Sequence, residues 1–234
     1  MGIWLGEIVK IIIADEQPLF RDALTRVLSQ QISGPEIIEV DNFTCLEQQL
    51  QLNPDIDYVF MDVHISGNSG LSGLATLRLS YPHLNIVIVT ASESPMIVYR
   101  AVKLGAAGFV PKSNSVEIFA EAISAIITGH VWLPAQLKNP LDNQSLRTHP
   151  EDSECISEKI ASLSPRQFKV LSMLSDGKLN KQIAYTLDIQ EATIKHHVSL
   201  ILQKLNVVNR TGAANMFNRL KVEKRIKAKR ETPV

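Results

Sequence analysis

The sequence has few of the features that mark secreted or membrane-bound proteins. Only two cysteines, Cys45 and Cys155, occur in 234 residues, which provides neither a disulfide framework nor the spacing of a metal-ligating cluster. The apolar run near the N-terminus stops at Asp15 and is too short to span a bilayer. The first nine residues lack the basic start of a signal peptide, and Gly6 stands where a myristoylation signal has Ser or Thr. We therefore expect a soluble, cytoplasmic protein with reduced thiols and no membrane partner.

Acidic and basic residues are equal in number but unequally distributed. Residues 1–133 have 7 Lys and Arg against 14 Asp and Glu, residues 134–160 have 3 against 5, and residues 161–234 have 14 against 5. The corresponding net charges are −7, −2 and +9. A chain of this length favours two domains. A basic region joined to an acidic one suggests that the basic region binds a polyanion.

Strand and helix patterns alternate five times in the first part of the chain. The predicted strands are residues 9–14, 36–40, 58–62, 85–90 and 108–110, and the predicted helices are residues 18–30, 44–52, 71–81, 95–104 and 114–128. Thr44 and Asn114 are the expected N-caps of the second and last helices, because each has a Glu three residues later. Strands that are apolar on both faces predict a doubly wound parallel sheet of five strands.

Polar side chains end four of the predicted strands. Asp15 and Glu16 follow the first strand, Asp62 ends the third, Thr90 ends the fourth and Lys112 follows the fifth. Ligands bind at the carboxyl ends of the strands in such sheets, so we expect these side chains to share one edge. Crowded carboxylates require a cation, and exposed oxygen ligands suit Mg²⁺. A lysine and a hydroxyl beside them suit phosphoryl oxygens, which predicts attack of the Asp62 carboxylate on phosphorus to form an acyl phosphate.

Each of these residues, taken singly, has a commoner role. An aspartate at a strand end is usually a helix cap or turn former, a threonine can simply end its strand, and a loop lysine is usually solvated. The ordered set at four strand ends is what favours the phosphoryl-acceptor interpretation.

These residues carry a resemblance to a known family. Over residues 8–130 the chain resembles the flavodoxin-like receiver domain of bacterial two-component response regulators, on the motifs Asp15-Glu16, Asp62, Thr90-Ala91 and residues 108–113. The resemblance implies that Asp62 accepts a phosphoryl group from a cognate histidine kinase. It also implies that Glu16, Asp62 and the His64 backbone carbonyl hold Mg²⁺, with Asp15 acting through water.

The same resemblance assigns roles on the fourth and fifth strands. Thr90 and Lys112 would bind the phosphate, and Phe109 stands at the position of an aromatic switch, although an apolar core role fits it equally well. Three positions depart from the pattern: Glu16 replaces a second aspartate, Ser66 replaces a common proline, and Lys112 is followed by serine instead of proline. None of these departures removes a chemical role.

The strand and helix rhythm stops in residues 131–160, which contain Asn139-Pro140, His149-Pro150 and an acidic run, and which we predict to be a linker. Four helices follow in residues 161–225. Ser164, Pro165 and Gln167 form the expected N-cap, first residue and capping box of a helix that ends near Gly177. The next helices are predicted at 180–187, at 191–205 and from 209 onward.

Two short helices joined by a three-residue turn are a helix-turn-helix candidate. Donors and cations are predicted on the exposed side of the third helix, at Thr193, Lys195, His196, Ser199, Gln203 and Lys204. They suit base edges and phosphates, and the charge of the region provides attraction to DNA. The alternative is a small helical interaction domain whose polar side is only solvated.

Residues 160–221 are similar to the LuxR-type helix-turn-helix. The motifs are residues 163–167, 180–184, 193–198, 204–205 and 209–211. A receiver joined to this domain resembles the NarL/FixJ subfamily of transcription regulators. The resemblance implies that Lys195, His196 and Ser199 face the major groove, and that Thr193, Asn180 and Lys181 contact phosphates. Gln190 replaces the usual serine N-cap of the recognition helix, and His197 is interpreted as a packed helix residue.

The combined prediction is a sequence-specific DNA-binding transcription regulator that is controlled by phosphorylation of Asp62. It would bind paired half-sites as a homodimer. Residues 226–234 are expected to be a basic tail. Residues 219–230 hold seven Lys and Arg and one acidic residue, and they are expected to be a solvated helix end or tail or, alternatively, to contact DNA phosphates. One alternative is a DNA-binding regulator independent of phosphorylation, whose receiver is a dimerisation or docking module. Another is a phosphatase on the same sheet, which the lack of a second general acid beside Asp62 disfavours, so we expect no enzyme.

Overall fold

The chain folds as two compact units, Met1–Asn139 and Pro140–Val234. The computed structural model describes residues 8–68, 70–92, 94–134, 156 and 159–219.

The first unit is a five-stranded parallel sheet with a helix after each strand. Its elements are β1 (Lys10–Ala14), α1 (Pro18–Gln31), β2 (Glu36–Val40), α2 (Phe43–Leu52), β3 (Tyr58–Met61), α3 (Ser72–Ser80), β4 (Asn85–Thr90), α4 (Pro95–Lys103), β5 (Gly108–Pro111) and α5 (Val116–Ile127). The strand order is β2-β1-β3-β4-β5, and every neighbouring pair is parallel. The predicted doubly wound sheet is confirmed.

Burial on both faces explains the apolar runs of the central strands. Every residue of β3, β4 and β5 is buried, whereas the edge strand β2 exposes Glu36 and Glu39. Ile12, Val59 and Ile86 lie on adjacent strands and belong to one core cluster with residues of α2, α3 and α4. Each fully buried aliphatic side chain of this kind stabilises the fold by roughly 1.5–3 kcal/mol. The core therefore holds the strand ends at fixed positions.

Two helices begin at caps other than the predicted ones. The N-cap of α2 is Asn42 and not Thr44, and its Oδ1 accepts a hydrogen bond from the Cys45 backbone N–H at 2.8 Å. The N-cap of α5 is Ser115 and not Asn114. Both predictions were wrong because several adjacent residues are able to cap. The actual cap is the last residue with extended backbone before the helix.

Trp132 extends the first unit beyond α5. It is 9 % exposed, and its carbonyl accepts a hydrogen bond from the Phe109 backbone N–H at 3.0 Å. The segment predicted to be a linker therefore begins with a residue that packs against β5. Most of the remaining linker, and the basic tail at 226–234, lie outside the described residues.

The second unit is helical, as predicted. Helical residues at 156 and 159–161 precede α6 (Pro165–Ser175), α7 (Asn180–Leu187), α8 (Glu191–Leu205) and α9 (residues 210–219) in the described part of this unit. Ser164 and Gln167 form the capping box at the start of α6, with bonds of 3.2 and 3.0 Å, and Gly177 ends that helix with φ of +79°. The core of the unit is formed by apolar side chains of α6, α7 and α8, among them Val170, Leu171, Ile183, Ile194, Val198 and Leu205.

Candidate functional sites

The strand ends of the first unit bring four polar side chains to one edge of the sheet. Asp15 directly follows β1, Asp62 follows β3, Thr90 ends β4 and Lys112 follows β5. The backbone N–H of Asp62 donates to the Ala14 carbonyl at 3.0 Å, and that of Lys112 donates to the Thr90 carbonyl at 2.8 Å. Because the pairing continues one residue past the strands, these side chains leave the sheet at the same level.

The Lys112 ammonium is the centre of this edge. Its Nζ lies 2.5 Å from Asp15 Oδ2, 2.7 Å from Asp62 Oδ2 and 3.2 Å from Gln17 Oε1. It also stands 4.6 Å from the centre of the Phe20 ring. The lysine side chain is only 8 % exposed. One buried cation therefore contacts two carboxylates and offsets only one of their two negative charges.

The Asp62 carboxylate is held in its ionised form. Burial alone would raise its pKa, but hydrogen bonds from Lys112, the His64 backbone N–H and the Thr90 hydroxyl outweigh burial and lower the pKa of Asp62 below its usual value. The His64 backbone N–H donates to Asp62 Oδ1 at 3.1 Å. At neutral pH Asp62 is thus an ionised carboxylate, which is the form that acts as a nucleophile.

Asp15 is more deeply buried than Asp62, with 2 % of the residue exposed. Its Oδ1 accepts the Gln17 backbone N–H at 2.9 Å, whereas its Oδ2 accepts no hydrogen bond from the described residues. Although Oδ2 is close to Lys112, that contact lacks hydrogen-bond geometry and is a charge contact. Asp15 Oδ2 is therefore a buried anionic oxygen with unused hydrogen-bond acceptor capacity. It contacts the same ammonium, Lys112, as Asp62 Oδ2.

Glu16 does not join this pair. Its residue is exposed, and its Oε1 accepts a hydrogen bond from the Ser66 hydroxyl in the loop after β3. Across the described ranges no three Asp, Glu, His or Cys side chains gather as a group able to hold a metal ion. The side chains of Asp15 and Asp62 are thus brought together as predicted, and that of Glu16 is engaged elsewhere.

The remaining receiver residues divide into exposed and buried ones. His64 is exposed two residues after Asp62, whereas Phe109 is fully buried on β5 and belongs to the core cluster. Gln17, which accepts from Lys112, was missed by sequence reasoning. Its position in the loop directly after Asp15-Glu16 was the available signal.

In the second unit the predicted DNA-contacting residues differ in accessibility. Thr193 and His196 are exposed on α8. Lys195 is half-buried and pairs with Glu191 one turn earlier, at 2.8 Å, and Ser199 Oγ donates to the Lys195 carbonyl at 3.0 Å. The exposed part of α8 therefore presents an imidazole and a hydroxyl directly, beside a lysine held by a neighbouring carboxylate.

Two residues outside this group are less accessible than expected. Asn180, the first residue of α7, is 7 % exposed, and its Oδ1 has no hydrogen-bond partner in the described part of the chain. Lys181 beside it is half-buried. Lys204 is exposed on α8, as predicted, and it also donates to the Ser162 carbonyl at 2.9 Å and to Gln167 Oε1 at 3.0 Å.

The half-buried His197 is neutral at physiological pH. Its pKa is lowered by burial and further by the nearby charges of Arg166 and His196. A neutral, half-buried ring agrees with its interpretation as a packed helix residue.

Comparison with known proteins assigns the family. The model of the response regulator receiver domain matches residues 11–124, and that of the bacterial regulatory proteins of the luxR family matches residues 161–217. A glycerol metabolism activator of Pseudomonas putida is 37% identical over 204 residues, which are 87% of this chain and 92% of that protein. The chain belongs to the NarL/FixJ subfamily of response regulators. The nitrate/nitrite response regulator NarP of Escherichia coli is 30% identical over 209 residues, 89% of this chain and 94% of NarP.

Members of the NarL/FixJ subfamily are DNA-binding transcription regulators, and the resemblance read from the sequence is confirmed. Solved structures of RcsB share the fold. The RcsB–DNA complex is 23% identical, with a TM-score of 0.53, and covers 91% of this chain and 98% of its own. RcsB of Salmonella enterica serovar Typhimurium, bound to a promoter with a phosphomimetic, is 24% identical, with a TM-score of 0.51, 89% of this chain covered and 97% of RcsB. Among the described residues no helix is long and apolar enough to cross a membrane.

Proposed function

We propose that Asp62 is the phosphoryl acceptor of this response regulator, and that its modification by a cognate histidine kinase controls DNA binding by α8. The observation that supports the first part is the meeting of an ionised carboxylate, a buried ammonium and a buried hydroxyl at one edge of the sheet. These are the groups needed to attack a phosphoryl group and to stabilise its oxygens.

The chemical step is a displacement at phosphorus. An Asp62 oxygen forms a bond to the phosphorus of a protonated phosphohistidine, and the P–N bond breaks. The electron pair of that bond goes to the ring nitrogen, the proton already on the other nitrogen stays there, and the histidine leaves as neutral imidazole. Lys112, 2.7 Å from Asp62 Oδ2, then has a phosphoryl oxygen to bind in place of one carboxylate. The Thr90 hydroxyl is a second donor for the same group. Asp62 thereby becomes an acyl phosphate.

Mg²⁺ fits this edge because Asp15 Oδ2 is a buried anionic oxygen that accepts no hydrogen bond from the described residues. Asp15, Glu16, Asp62 and the backbone carbonyl of His64 would hold the ion, with water completing its shell. When bound, the ion would neutralise charge on the transferred phosphoryl oxygens.

The second unit supports DNA recognition through α8. Lys195, His196 and Ser199 would face base edges, and Thr193 would contact a phosphate. Residues 161–234 have 14 Lys and Arg against 5 Asp and Glu, which favours a polyanion. We propose that phosphorylation releases this unit and favours a homodimer on paired half-sites in the cytoplasm.

Asn180 and Lys181 would contact DNA phosphates through different groups of atoms. Because the Asn180 side chain is buried, its phosphate contact would come from its backbone N–H at the start of α7. Lys181 follows on the same helix end and would contribute its ammonium.

The phosphoryl-acceptor proposal is tested by intact mass after incubation with Mg²⁺ and acetyl phosphate. We expect a single phosphoryl adduct on the wild-type chain and none on Asp62→Asn. DNA affinity and oligomeric state are then measured with and without beryllofluoride, on a sequence selected from random oligonucleotides. Equal affinity and equal oligomeric state in both conditions would rule out control by Asp62.

The DNA interface is tested with His196→Ala on the same selected sequence. We expect a loss of about 1–3 kcal/mol in binding free energy if the imidazole reads a base edge. His130→Ala, which removes an exposed histidine of the first unit, is the matched control and should leave affinity unchanged.

One observation favours a second function. Glu16 is bound to Ser66 and does not join Asp15 and Asp62, which would weaken a metal site. If the chain takes up neither a phosphoryl group nor beryllofluoride, the receiver is best explained as a dimerisation or docking module of a regulator that acts without phosphorylation.

A further inference from the structure

Two of the three departures from the receiver pattern, Glu16 and Ser66, contact each other. Glu16 stands in the loop after β1 and Ser66 in the loop after β3, 50 residues away, and the Ser66 hydroxyl donates to Glu16 Oε1. We infer that Ser66 is a positioning residue that holds the Glu16 carboxylate outside the Asp15–Asp62 pair, so that this hydrogen bond competes with Mg²⁺ binding. The inference rests on the proposed function of the sheet edge.

The Ser66 hydroxyl is presented by a well-anchored backbone. The Ser66 carbonyl accepts a hydrogen bond from the Phe43 N–H at 2.8 Å, and Ser66 pairs with Asn42 as an isolated parallel bridge. Ile65 before it is 1 % exposed, and Gly67 after it turns the chain with φ of +82°. Because the backbone that carries the hydroxyl is already fixed, only the serine side chain loses conformational freedom when it contacts Glu16. This lowers the entropic cost of the contact.

The Glu16 side of the contact is also anchored through its neighbours. The Asp15 backbone N–H donates to the Val40 carbonyl at 3.0 Å, and the Gln17 backbone N–H donates to Asp15 Oδ1. Glu16 thus lies in a fixed loop, and its carboxylate accepts the hydrogen bond from the Ser66 hydroxyl. A proline at position 66 would have no hydroxyl, so the contact depends on serine at this position.

The contact changes the charge available to a cation. Without Glu16, the carboxylates at the edge are Asp15 and Asp62, and both already contact Lys112. The number of anionic oxygens at a site sets its affinity for a hard divalent cation. Release of Glu16 adds a third carboxylate, so the Ser66 hydroxyl lowers Mg²⁺ affinity and sets the ion concentration at which the receiver is competent.

The test is the Mg²⁺ dissociation constant of the full chain, measured by isothermal titration calorimetry. Ser66→Ala should bind Mg²⁺ about threefold to tenfold more tightly than wild type, which is the range expected from loss of one competing hydrogen bond. Ser72→Ala is the matched control, because it removes another exposed hydroxyl near the same loop, one that donates to Asn68 Oδ1 at 2.6 Å. Its Mg²⁺ affinity should equal that of wild type.

A second pair of variants tests whether the effect passes through Glu16. In a Glu16→Gln background the amide cannot serve as an anionic ligand, so adding Ser66→Ala should change Mg²⁺ affinity by less than about a third of its effect in wild type. The inference is overturned if Ser66→Ala binds Mg²⁺ equally or more weakly than wild type. It is also overturned if the gain is undiminished in Glu16→Gln.

Intact-mass measurement of the acetyl phosphate adduct separates this inference from the proposed function. At saturating Mg²⁺ we expect wild type and Ser66→Ala to reach the same extent of phosphorylation. A wild-type chain that binds Mg²⁺ and is phosphorylated, with Ser66→Ala unchanged in affinity, overturns the role of Ser66 alone. A wild-type chain that does neither overturns both.

Discussion

The carboxyl-end edge of the sheet and the exposed side of α8 use their charges in different ways. At the sheet edge, Lys112 binds Asp15 and Asp62, which are distant in sequence, and the lysine side chain is 8 % exposed. On α8, Lys195 binds Glu191 one helical turn away, with 16 % of the lysine side chain exposed. The first arrangement exists only in the folded sheet, whereas the second forms wherever the helix forms.

This difference means that the charges at the sheet edge contribute to the stability of the fold, whereas the exposed side chains of α8 are available for binding. Charges at the sheet edge are paired within the protein, so the stability of that edge depends on keeping the lysine beside both carboxylates. The side chains of Thr193 and His196 on α8 are exposed to a partner. We therefore expect substitutions at the edge to affect folding strongly, and substitutions on α8 to affect chiefly the binding of DNA.

The largest expected effect comes from Lys112→Met. Removing the cation leaves Asp15 and Asp62 close together and mostly buried, and should lower the free energy of unfolding at pH 7 by about 3 kcal/mol. Lys195→Met removes an ion pair within one helix and should cost less than about 0.5 kcal/mol. Urea unfolding measures both, with tryptophan fluorescence for the first unit and circular dichroism for the whole chain. Equal costs for the two variants would contradict the comparison.

A smaller effect is expected from acid. The pKa of Asp62 is lower in the folded chain than in the unfolded chain, where an aspartate titrates at about 3.9. The unfolded state therefore binds more protons between these two values, and the stabilisation is present above about pH 4 and lost as the pH falls through the folded pKa. Because Lys112 is a main cause of the lowered pKa of Asp62, the difference in unfolding free energy between wild type and Lys112→Met should shrink as the pH falls below about 4. A difference that is constant from pH 7 to pH 3 would exclude this linkage.

The smallest expected effect concerns the start of α8. Gln190 is its N-cap and makes no side-chain capping bond within the described residues, whereas Ser164 caps α6 fully. Gln190→Ser should stabilise α8 by about 0.5–1 kcal/mol, because the serine hydroxyl accepts a hydrogen bond from a first-turn backbone N–H. Hydrogen exchange of the first-turn amides of α8 measures this gain, with the α6 amides as an internal reference. Unchanged protection of α8 would show that the serine does not cap.

The parts of the molecule that follow from periodicity were predictable. The five strands, and the helices at 180–187 and 191–205, follow from apolar patterns and caps, because burial of both faces of a central strand and of one face of a helix sets where apolar residues stand. The approach of Asp15, Asp62 and Lys112 follows from a topological rule, since parallel strands end at the same edge.

Contacts between loops were not predictable in the same way. The bond from Ser66 to Glu16 depends on the path of two loops that have no periodicity, although both residues stood out as departures from the family pattern. Lys204 lies on the exposed side of its helix as expected, but its bonds to Ser162 and Gln167 were not predicted, because a long side chain is able to reach back to the start of α6. The burial of Asn180 depends on the packing of α7, which helix spacing alone does not specify.

The N-cap of α2 links a thiol to the loop after Asp62. The Asn42 side chain caps α2 and donates to Cys45 Sγ at 3.1 Å, while the next residue, Phe43, donates its backbone N–H to Ser66. A shift of Ser66 would therefore loosen the first turn of α2 and uncover the half-buried Cys45. In a Cys155→Ser background Cys45 is the one remaining thiol, so its alkylation rate measures how often the loop after Asp62 opens. The measurement requires no label on Asp62 or Glu16.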